Sequence, residues 1–351
     1  MASFRQFLWD RYTALETAQH RLLYLFLEVT RACNLSCRHC GSDCGADDRS
    51  AVLSLRDWRE IVDRVAARFS REVTFVITGG EPLVWPHLAE LGEWITRRGR
   101  AWGLVTNGMA LSARRLARLE QCGLGSMTIS LDGDEAAHNF LRGNPDAYRR
   151  ALAAIRLAGA SSIPLRDVVT CVYPGNLDRL ATVAETLLTA GIPAWRLFRI
   201  FPLGRARNDA VLTLDRRQTR RMVDWIKEHR PRYARRGLRV DFSCEGWFPF
   251  SLDRRIRSEP FFCRSGINIA TIRCDGVITG CDNNGPAFFE GNIFKDDFAA
   301  VWENGFARLR RREWMRRGIC RDCRRFRHCR GGAAHLWGED ADGPAFCYVR
   351  E

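Results

Sequence analysis

The sequence has no long apolar segment, and its first residues are not apolar. Its longest apolar run, Leu22–Leu27, is far shorter than the roughly 20 residues that a membrane-spanning helix needs. The first twenty residues include Arg5, Asp10, Arg11 and Glu16, which excludes the apolar region of a signal peptide. The sequence therefore predicts a cytoplasmic protein that is neither exported nor partnered with a membrane.

Lysine is almost absent from the sequence. Of 55 basic residues only Lys227 and Lys295 are lysines, and the formal net charge is +14. A positive charge of this size is typical of nucleic-acid binding. However, so strong a bias to arginine reflects coding preference as much as phosphate contacts, and the densest basic run, 308–330, passes through a group of cysteines. Nucleic-acid binding is disfavoured, whereas a carboxylate-bearing substrate remains open.

The fourteen cysteines are the most informative part of the composition. A protein that is not exported does not use them as a disulfide framework, so metal binding is favoured. Four lie between residues 33 and 44 and eight between 244 and 347, which indicates separate sites. The 351 residues, 46% of them apolar, suffice for a folded domain of roughly 200 residues and a smaller module.

A unit of one strand and one helix repeats from residue 23 onward. The expected strands are Leu23–Thr30, Val73–Gly79, Trp102–Asn107, Ser126–Leu131, Asp167–Tyr173 and Trp195–Phe201. The expected helices are Leu55–Phe69, His87–Arg98, Ser112–Gln121, Pro145–Leu157, Leu177–Leu188 and Leu214–Glu228. Strands separated by helices imply parallel pairing, in an open doubly wound sheet or a partial barrel. In both folds the functional groups gather at the carboxyl ends of the strands.

Three closely spaced cysteines, Cys33, Cys37 and Cys40, follow the first expected strand. Three thiolates are one too few for a closed four-cysteine site, but they suit an iron–sulfur cubane that keeps one iron open. A zinc site completed by His39 or Cys44, or simple burial of the cysteines, is the alternative.

Glycines and polar residues follow the next three expected strands. The second strand leads into Gly79–Pro82, where two glycines let the backbone approach a ligand and Glu81 offers a carboxylate to an amino group. The third and fourth strands lead into Thr106–Gly108 and Ser130–Gly133. Each motif alone is an ordinary turn signal, but four motifs at successive strand ends predict one ligand site.

With these motifs the chain resembles the radical S-adenosylmethionine (SAM) superfamily over nearly its whole length. The resemblance implies a partial (β/α)6 barrel in which Cys33, Cys37 and Cys40 hold a [4Fe–4S] cluster whose open iron binds SAM. It implies SAM contacts from these residues: His39, Gly79, Gly80, Glu81, Pro82, Asn107, Ser130, Asp132 and Arg142. It also implies an external electron donor of the flavodoxin or ferredoxin type, cleavage of SAM to a 5′-deoxyadenosyl radical, and hydrogen abstraction from a substrate.

A second group of cysteines occupies the last third of the chain. An Asp275–Gly276 hairpin signal joins the runs Asn268–Cys274 and Val277–Cys281, and a CxxC pair follows at Cys320 and Cys323. The other members of the group are Cys263, Cys281, Cys329 and Cys347. This spacing indicates a metal site, with zinc as the alternative to iron and sulfide.

This region resembles the SPASM extension of radical SAM enzymes, a smaller cysteine-rich α+β domain that contains a β-hairpin. The resemblance implies one auxiliary cluster, the far cluster, held by four cysteines: Cys320, Cys323, Cys329 and Cys347. For a second, near cluster it leaves Cys263 and Cys281, because Ala333 occupies a position where the pattern has a cysteine. Cys244 or Cys274 can substitute, or Cys263 and Cys281 join the CxxC pair in one cluster, as in twitch-type domains. One or two auxiliary clusters are expected.

The resemblance also sets the expected organisation and activity. Residues 1–22 are expected to be a helical extension, 23–230 the barrel and 231–351 the auxiliary domain. The expected activity is modification of a peptide or protein by oxidation or crosslinking. With about 22 residues before the barrel, a peptide would need a separate recognition protein or would bind the barrel directly. Oxidation or decarboxylation of a small molecule is the alternative, and a non-catalytic electron-transfer protein is the alternative from another class.

Overall fold

A computed structural model of the protein describes residues 4–48, 50, 53–207, 209–338 and 341–349. These residues form ten strands: β1 (Tyr24–Glu28), β2 (Thr74–Thr78), β3 (Trp102–Thr106), β4 (Leu124–Ser130), β5 (Leu165–Val172), β6 (Ala194–Arg199), β7 (Arg239–Phe242), β8 (Ile269–Ile272), β9 (Val277–Thr279) and β10 (Phe289–Asn292). They also form twelve α-helices: α1 (Phe4–Gln19), α2 (Leu55–Arg68), α3 (Leu88–Arg97), α4 (Ala113–Gln121), α5 (Glu135–Arg142), α6 (Ala147–Gly159), α7 (Leu180–Thr189), α8 (Arg216–Arg235), α9 (Phe250–Ile256), α10 (Phe298–Asn304), α11 (Ala307–Arg310) and α12 (Phe326–Cys329). Short 3-10 helices include Pro82–Val84, Leu177–Arg179, Gly204–Ala206, Ala210–Leu212, Pro286–Phe288, Glu313–Met315, Gly318–Cys320 and Ala334–Leu336.

All ten strands belong to one open sheet. Its order is β10-β9-β8-β1-β2-β3-β4-β5-β6-β7, and β1 to β7 pair in parallel with their neighbours. This confirms the predicted partial barrel, and β7 adds a parallel strand beyond the six that were predicted. Because parallel strands end at the same edge, the loops after β1 to β7 converge there.

The predicted hairpin is also confirmed. β8 pairs in parallel with β1, and β9 returns antiparallel to β8 through the Asp275–Gly276 turn. Gly276 has φ +83°, which glycine adopts without steric cost. The cysteine-rich region is therefore continuous with the barrel sheet at its β1 edge.

Apolar side chains from strands and helices form the core beneath the functional edge. Phe75 and Ile77 of β2 are fully buried, as are Trp58 of α2 and Trp102 of β3. Ser54 begins α2 with a capping box, in which the serine hydroxyl and the Asp57 side chain accept each other's backbone N–H. Among the described residues, no helix combines the length and the hydropathy needed to cross a membrane.

Candidate functional site

The three-cysteine loop leaves β1 and is held by backbone contacts from distant parts of the chain. Cys33 and Cys37 are buried and Cys40 is partly buried. Arg205, in the segment after β6, donates from its backbone N–H to Cys40 O (3.0 Å) and from Nε to Cys37 O (2.7 Å). Its Nη1 donates to Cys44 O (3.0 Å). One arginine thus joins the loop to the sixth strand, a role that sequence analysis did not assign to it.

Two polar side chains predicted to contact SAM lie against these thiols. The Asn107 amide donates to Cys33 Sγ (3.8 Å) and to Asn34 Oδ1 (2.8 Å). Arg142 Nη1 donates to Cys37 Sγ (3.8 Å). Burial raises the pKa of Cys33 to about 11. Burial also raises the pKa of Cys37, although the positive charge of Arg142 acts to lower it. Hydrogen-bond donors at buried sulfurs favour the thiolate form that binds metal.

The glycine pair after β2 allows this strand to meet the cysteine loop backbone to backbone. Gly80 N–H donates to Thr30 O (2.7 Å), and Glu81 N–H donates to Ala32 O (3.0 Å). A Cβ on Gly79 would lie 2.3 Å from Thr30 O, and one on Gly80 would lie 2.4 Å from Ala32 O. Only glycine fits at both positions without moving the backbone.

Glu81 is fully buried and is bonded by its own chain. Its Oε1 accepts from the Thr106 hydroxyl (2.6 Å) and from Leu83 N–H (3.0 Å), and its Oε2 accepts from Asn107 N–H (2.7 Å). Burial raises its pKa. The carboxylate therefore joins the ends of β2 and β3, while Pro82 begins the 3-10 helix that follows.

Asp132 and Arg142 form a buried ion pair next to the cysteine loop. Asp132 is 0% exposed and Arg142 is 7% exposed. Arg142 Nε donates to Asp132 Oδ2 (2.6 Å), and Cys171 N–H donates to Asp132 Oδ1 (2.9 Å). Although burial opposes ionisation, Arg142 lowers the pKa of Asp132, so the carboxylate is charged. Arg142 ends α5 and is not a solvated side chain.

His39 completes this group. Its ring, Asp132 and Cys171 place one ligating atom each within 4.8 Å of one another. Burial lowers the pKa of His39 to about 4, so the ring is neutral, and its Nδ1 is buried without a hydrogen-bond partner. Ser130 ends β4, partly buried, two residues before Asp132. All nine residues predicted to contact SAM thus lie at the end of β4, in the segments that follow β1 to β4, or on α5.

Three of the four cysteines predicted to hold the far cluster, Cys320, Cys329 and Cys347, line one cavity. Burial, and after it the thiols of Cys347 and Cys323, raises the pKa of Cys320 to about 11. Burial, and after it the thiols of Cys347, Cys320 and Cys323, raises the pKa of Cys329 to about 12. Cys323 is not among the residues that line the cavity, but its thiol acts on the pKa of both Cys320 and Cys329.

A second set of cysteines lies beside these four, since Cys263 and Cys329 line one cavity. Burial, and after it the thiol of Cys244, raises the pKa of Cys281 well above its usual value, and Cys263 contributes in the same direction. Burial of its thiol, and after it the thiol of Cys263, likewise raises the pKa of Cys244 to about 12. Cys274 lies elsewhere, beside Glu28. Of the two substitutes proposed for the near cluster, Cys244 therefore lies with Cys263 and Cys281.

A buried polar group next to Cys244 escaped the sequence analysis. Glu245 is 0% exposed and accepts from Arg199 Nε (3.0 Å) and from the Tyr348 hydroxyl. Arg199 ends β6, and Tyr348 follows Cys347. The only sequence signal for this group was the position of Glu245 and Tyr348 directly after cysteines.

Comparison with known proteins gives two family-model matches. The model described as the radical SAM superfamily matches residues 27–187. The model of the iron–sulfur cluster-binding domain SPASM matches residues 263–324. The first match covers the three-cysteine loop and the ends of β2 to β4, and the second covers the hairpin and the CxxC pair.

Relatives and solved structures agree with these matches. The mycofactocin maturase MftC of Mycobacterium tuberculosis is 30% identical over 332 residues, which cover 90% of this chain and 80% of that protein. An AdoMet-dependent heme synthase of Methanosarcina barkeri is 25% identical over 349 residues, covering 92% and 95%. SuiB of Streptococcus suis bound to SAM has a TM-score of 0.69 at 15% identity, covering 93% of this chain and 77% of that one. Native anSMEcpe with bound AdoMet and a peptide has a TM-score of 0.72 at 17% identity, covering 93% of both chains.

Proposed function

Because the chain belongs to the radical SAM superfamily and carries a SPASM domain, we propose that it is an enzyme that modifies a peptide or protein at an unactivated carbon. Radical SAM chemistry requires SAM and a [4Fe–4S] cluster, and SPASM domains add auxiliary clusters. The assignment of each cofactor to residues of this chain is part of the proposal.

Cys33, Cys37 and Cys40 are assigned to the cluster that binds SAM. Three thiolates leave one iron free for the amino and carboxylate groups of SAM. The donors at two of these sulfurs, Asn107 at Cys33 and Arg142 at Cys37, support the assignment because they stabilise thiolate charge in a buried site. The donor set therefore fits the cluster.

SAM is assigned to the region between this loop and the ends of β2 to β4. Held there beside the reduced cluster, it would supply a 5′-deoxyadenosyl radical, the species that takes a hydrogen atom from the substrate. The chain contributes position: the Gly79–Gly80 backbone, Asn107, neutral His39 and the Asp132–Arg142 pair orient the ligand and exclude water. The electron comes from an external donor of the flavodoxin or ferredoxin type.

The auxiliary cysteines are assigned to two sites. Cys320, Cys323, Cys329 and Cys347 suit a closed four-thiolate far cluster. Cys244, Cys263 and Cys281 suit a near cluster that lacks one thiolate. We favour two sites over a single shared cluster because, beyond the effect of burial, the pKa of Cys281 is raised by the thiols of Cys244 and Cys263, whereas the pKa values of Cys320 and Cys329 are raised by thiols of the far set. Cys263 and Cys329 line one cavity, so the two sites are neighbours.

The observation that carries the peptide proposal is the 30% identity to a mycofactocin maturase over 90% of this chain. The fold also accommodates peptides in other proteins, since anSMEcpe and SuiB have each been solved with one bound. A second candidate is decarboxylation of a tetrapyrrole side chain. The similarity to the heme synthase favours this candidate, because the match covers 95% of that protein's length.

The substrate class is tested with anaerobically reconstituted protein, SAM and dithionite. One reaction receives the short peptides encoded beside the gene, and another receives an iron tetrapyrrole with propionate side chains. We expect a peptide that has lost two hydrogens and 5′-deoxyadenosine that rises with peptide. Cys33→Ala should form neither, whereas Cys122→Ala, which changes a buried cysteine at the end of α4, should form both. Loss of carbon dioxide from the tetrapyrrole, with the peptides unchanged, would replace the first candidate by the second.

A further inference from the structure

The near set of cysteines offers three thiolates to a cluster that takes four protein ligands when it is closed. Asn284 joins the segments of Cys281 and Cys263, donating from its backbone to Cys281 O (2.9 Å) and from its side chain to Ser265 Oγ (3.0 Å). Ala333, which is fully buried, carries no ligating atom. A [4Fe–4S] cluster held there would have one iron without a cysteine. The residues around Ala333 therefore determine whether the protein supplies the fourth ligand to that iron.

The segment around Ala333 lies directly against the near set. Buried Arg312 joins this segment to Cys263, donating to Gly332 O (2.8 Å) and to Cys263 O (3.3 Å). Burial would raise the pKa of the Cys263 thiol, but the charge of Arg312 and the backbone N–H of Ala334 lower it. The 3-10 helix Ala334–Leu336 therefore starts beside Cys263 of the near set.

His335, the next residue, has the features of an unused ligand. It is 8% exposed, and its ring lies 4.2 Å from that of Phe201, centroid to centroid. Its Nε2 is buried without a hydrogen-bond partner and lies 3.8 Å from Glu245 Oε2, which is equally buried and without a partner. Buried polar atoms left without partners are costly, so these two atoms are expected to form a hydrogen bond with each other when the site is occupied.

Glu245 is placed to orient His335. Its other oxygen, Oε1, is occupied by Arg199 and Tyr348, so the carboxylate is charge-paired and fixed. Metal-bound histidines almost always donate their second ring N–H to a carboxylate or carbonyl. A proton on Nε2, directed at Glu245 Oε2, leaves the lone pair on Nδ1 for a metal. Glu245 also follows Cys244, so the orienting carboxylate comes from the near set itself.

We propose that His335 is the fourth protein ligand of the near auxiliary cluster and binds iron through Nδ1, with Glu245 as its orienting partner. The inference rests on the proposed function only in that the near cysteines hold a cluster. It assigns to this cluster a Cys3His ligand set in which a neutral imidazole replaces a thiolate. Such a replacement raises the reduction potential relative to four thiolates, as it does in other iron–sulfur proteins.

The test uses the full chain with Cys33, Cys37 and Cys40 changed to alanine, so that no nitrogen of SAM or of its cluster contributes to the spectra. After reconstitution we expect two [4Fe–4S] clusters, about eight irons per chain. In the reduced protein, pulsed EPR should detect a directly bound nitrogen that changes from 14N to 15N when histidine is labelled. His335→Ala should lose this nitrogen signal.

Ala333→Cys supplies the matched control, because it offers a thiolate two residues from His335. The double variant Ala333→Cys/His335→Ala should recover about eight irons per chain without the nitrogen signal, and at a lower reduction potential than the parent. Recovery of the iron content in the double variant also shows that His335→Ala lost the nitrogen signal because the ligand was removed, and not because the protein misfolded.

Several results would overturn the proposal. Two clusters without a histidine nitrogen signal would exclude His335 as a ligand. A spectrum that changes with Glu245→Gln but not with His335→Ala would make Glu245 the ligand. Only about four irons per chain would mean that the near cysteines hold no [4Fe–4S] cluster. None of these results bears on the peptide proposal, which the substrate assay tests separately.

Discussion

Replacing Arg142 with alanine is expected to lower the free energy of unfolding by about 3–5 kcal/mol and to abolish SAM binding. Arg142 and Asp132 are both buried and are joined at 2.6 Å. Removing one partner of a buried pair leaves an uncompensated charge, which costs about that much. The same change removes the hydrogen bond to Cys37 Sγ, so the cysteine loop loses a contact from α5 as well.

Urea denaturation of the apoprotein and equilibrium dialysis with SAM measure the two effects. Arg149→Ala is the control, because Arg149 and Asp146 form a similar pair on the surface, and it should change neither stability nor SAM binding noticeably. Arg142→Lys should recover part of the stability but not the contacts of the planar guanidinium. An Arg142→Ala protein as stable as Arg149→Ala would refute the structural role given to this pair.

Replacing Gly80 with alanine is expected to remove the SAM-binding cluster while leaving most of the fold intact. The new Cβ would lie 2.4 Å from Ala32 O and 2.6 Å from Arg31 O, both backbone atoms that cannot turn away. To remove this steric clash, β2 and the cysteine loop must separate. The separation displaces Cys33 and the residues of the loop that follow it. Overpacking of this kind typically costs about 1–3 kcal/mol, so the protein should still fold.

Iron content, charge-transfer absorbance and SAM binding after reconstitution measure this effect. Gly285→Ala is the matched control, because a Cβ there meets no atom within 4 Å. It should keep the full iron content, whereas Gly80→Ala should lack about four irons per chain. Full iron content and normal SAM binding in Gly80→Ala would contradict the contact between β2 and the loop.

The strands and long helices were predictable because their signals are local. Each of β1 to β6 is a β-branched or aromatic run followed by glycine or polar residues, and the predicted bounds lie close to the observed ones. β7 and α5 were missed because Arg239–Phe242 and Glu135–Arg142 are too short to show a period. Both matter, since β7 leads to Cys244 and α5 carries Arg142.

The partners within the site were not predictable, because they depend on tertiary packing. The sequence indicates that Asp132 and Arg142 are polar residues near a ligand, but not that they bond to each other. It offers Cys244 and Cys274 as equal candidates for the near set, and only the fold separates them. Glu245 carries no motif, and the contacts of Arg205 and Glu245 follow from where β6 and β7 end.

The formation of 5′-deoxyadenosine shows whether this chain carries out radical SAM chemistry. Anaerobically reconstituted protein is incubated with SAM and dithionite, with and without substrate peptide, beside Cys37→Ala and the control Cys122→Ala. We expect 5′-deoxyadenosine from the parent protein and from Cys122→Ala, and none from Cys37→Ala. A fully iron-loaded protein that neither binds SAM nor forms 5′-deoxyadenosine under any of these conditions would contradict this expectation and favour an electron-transfer role.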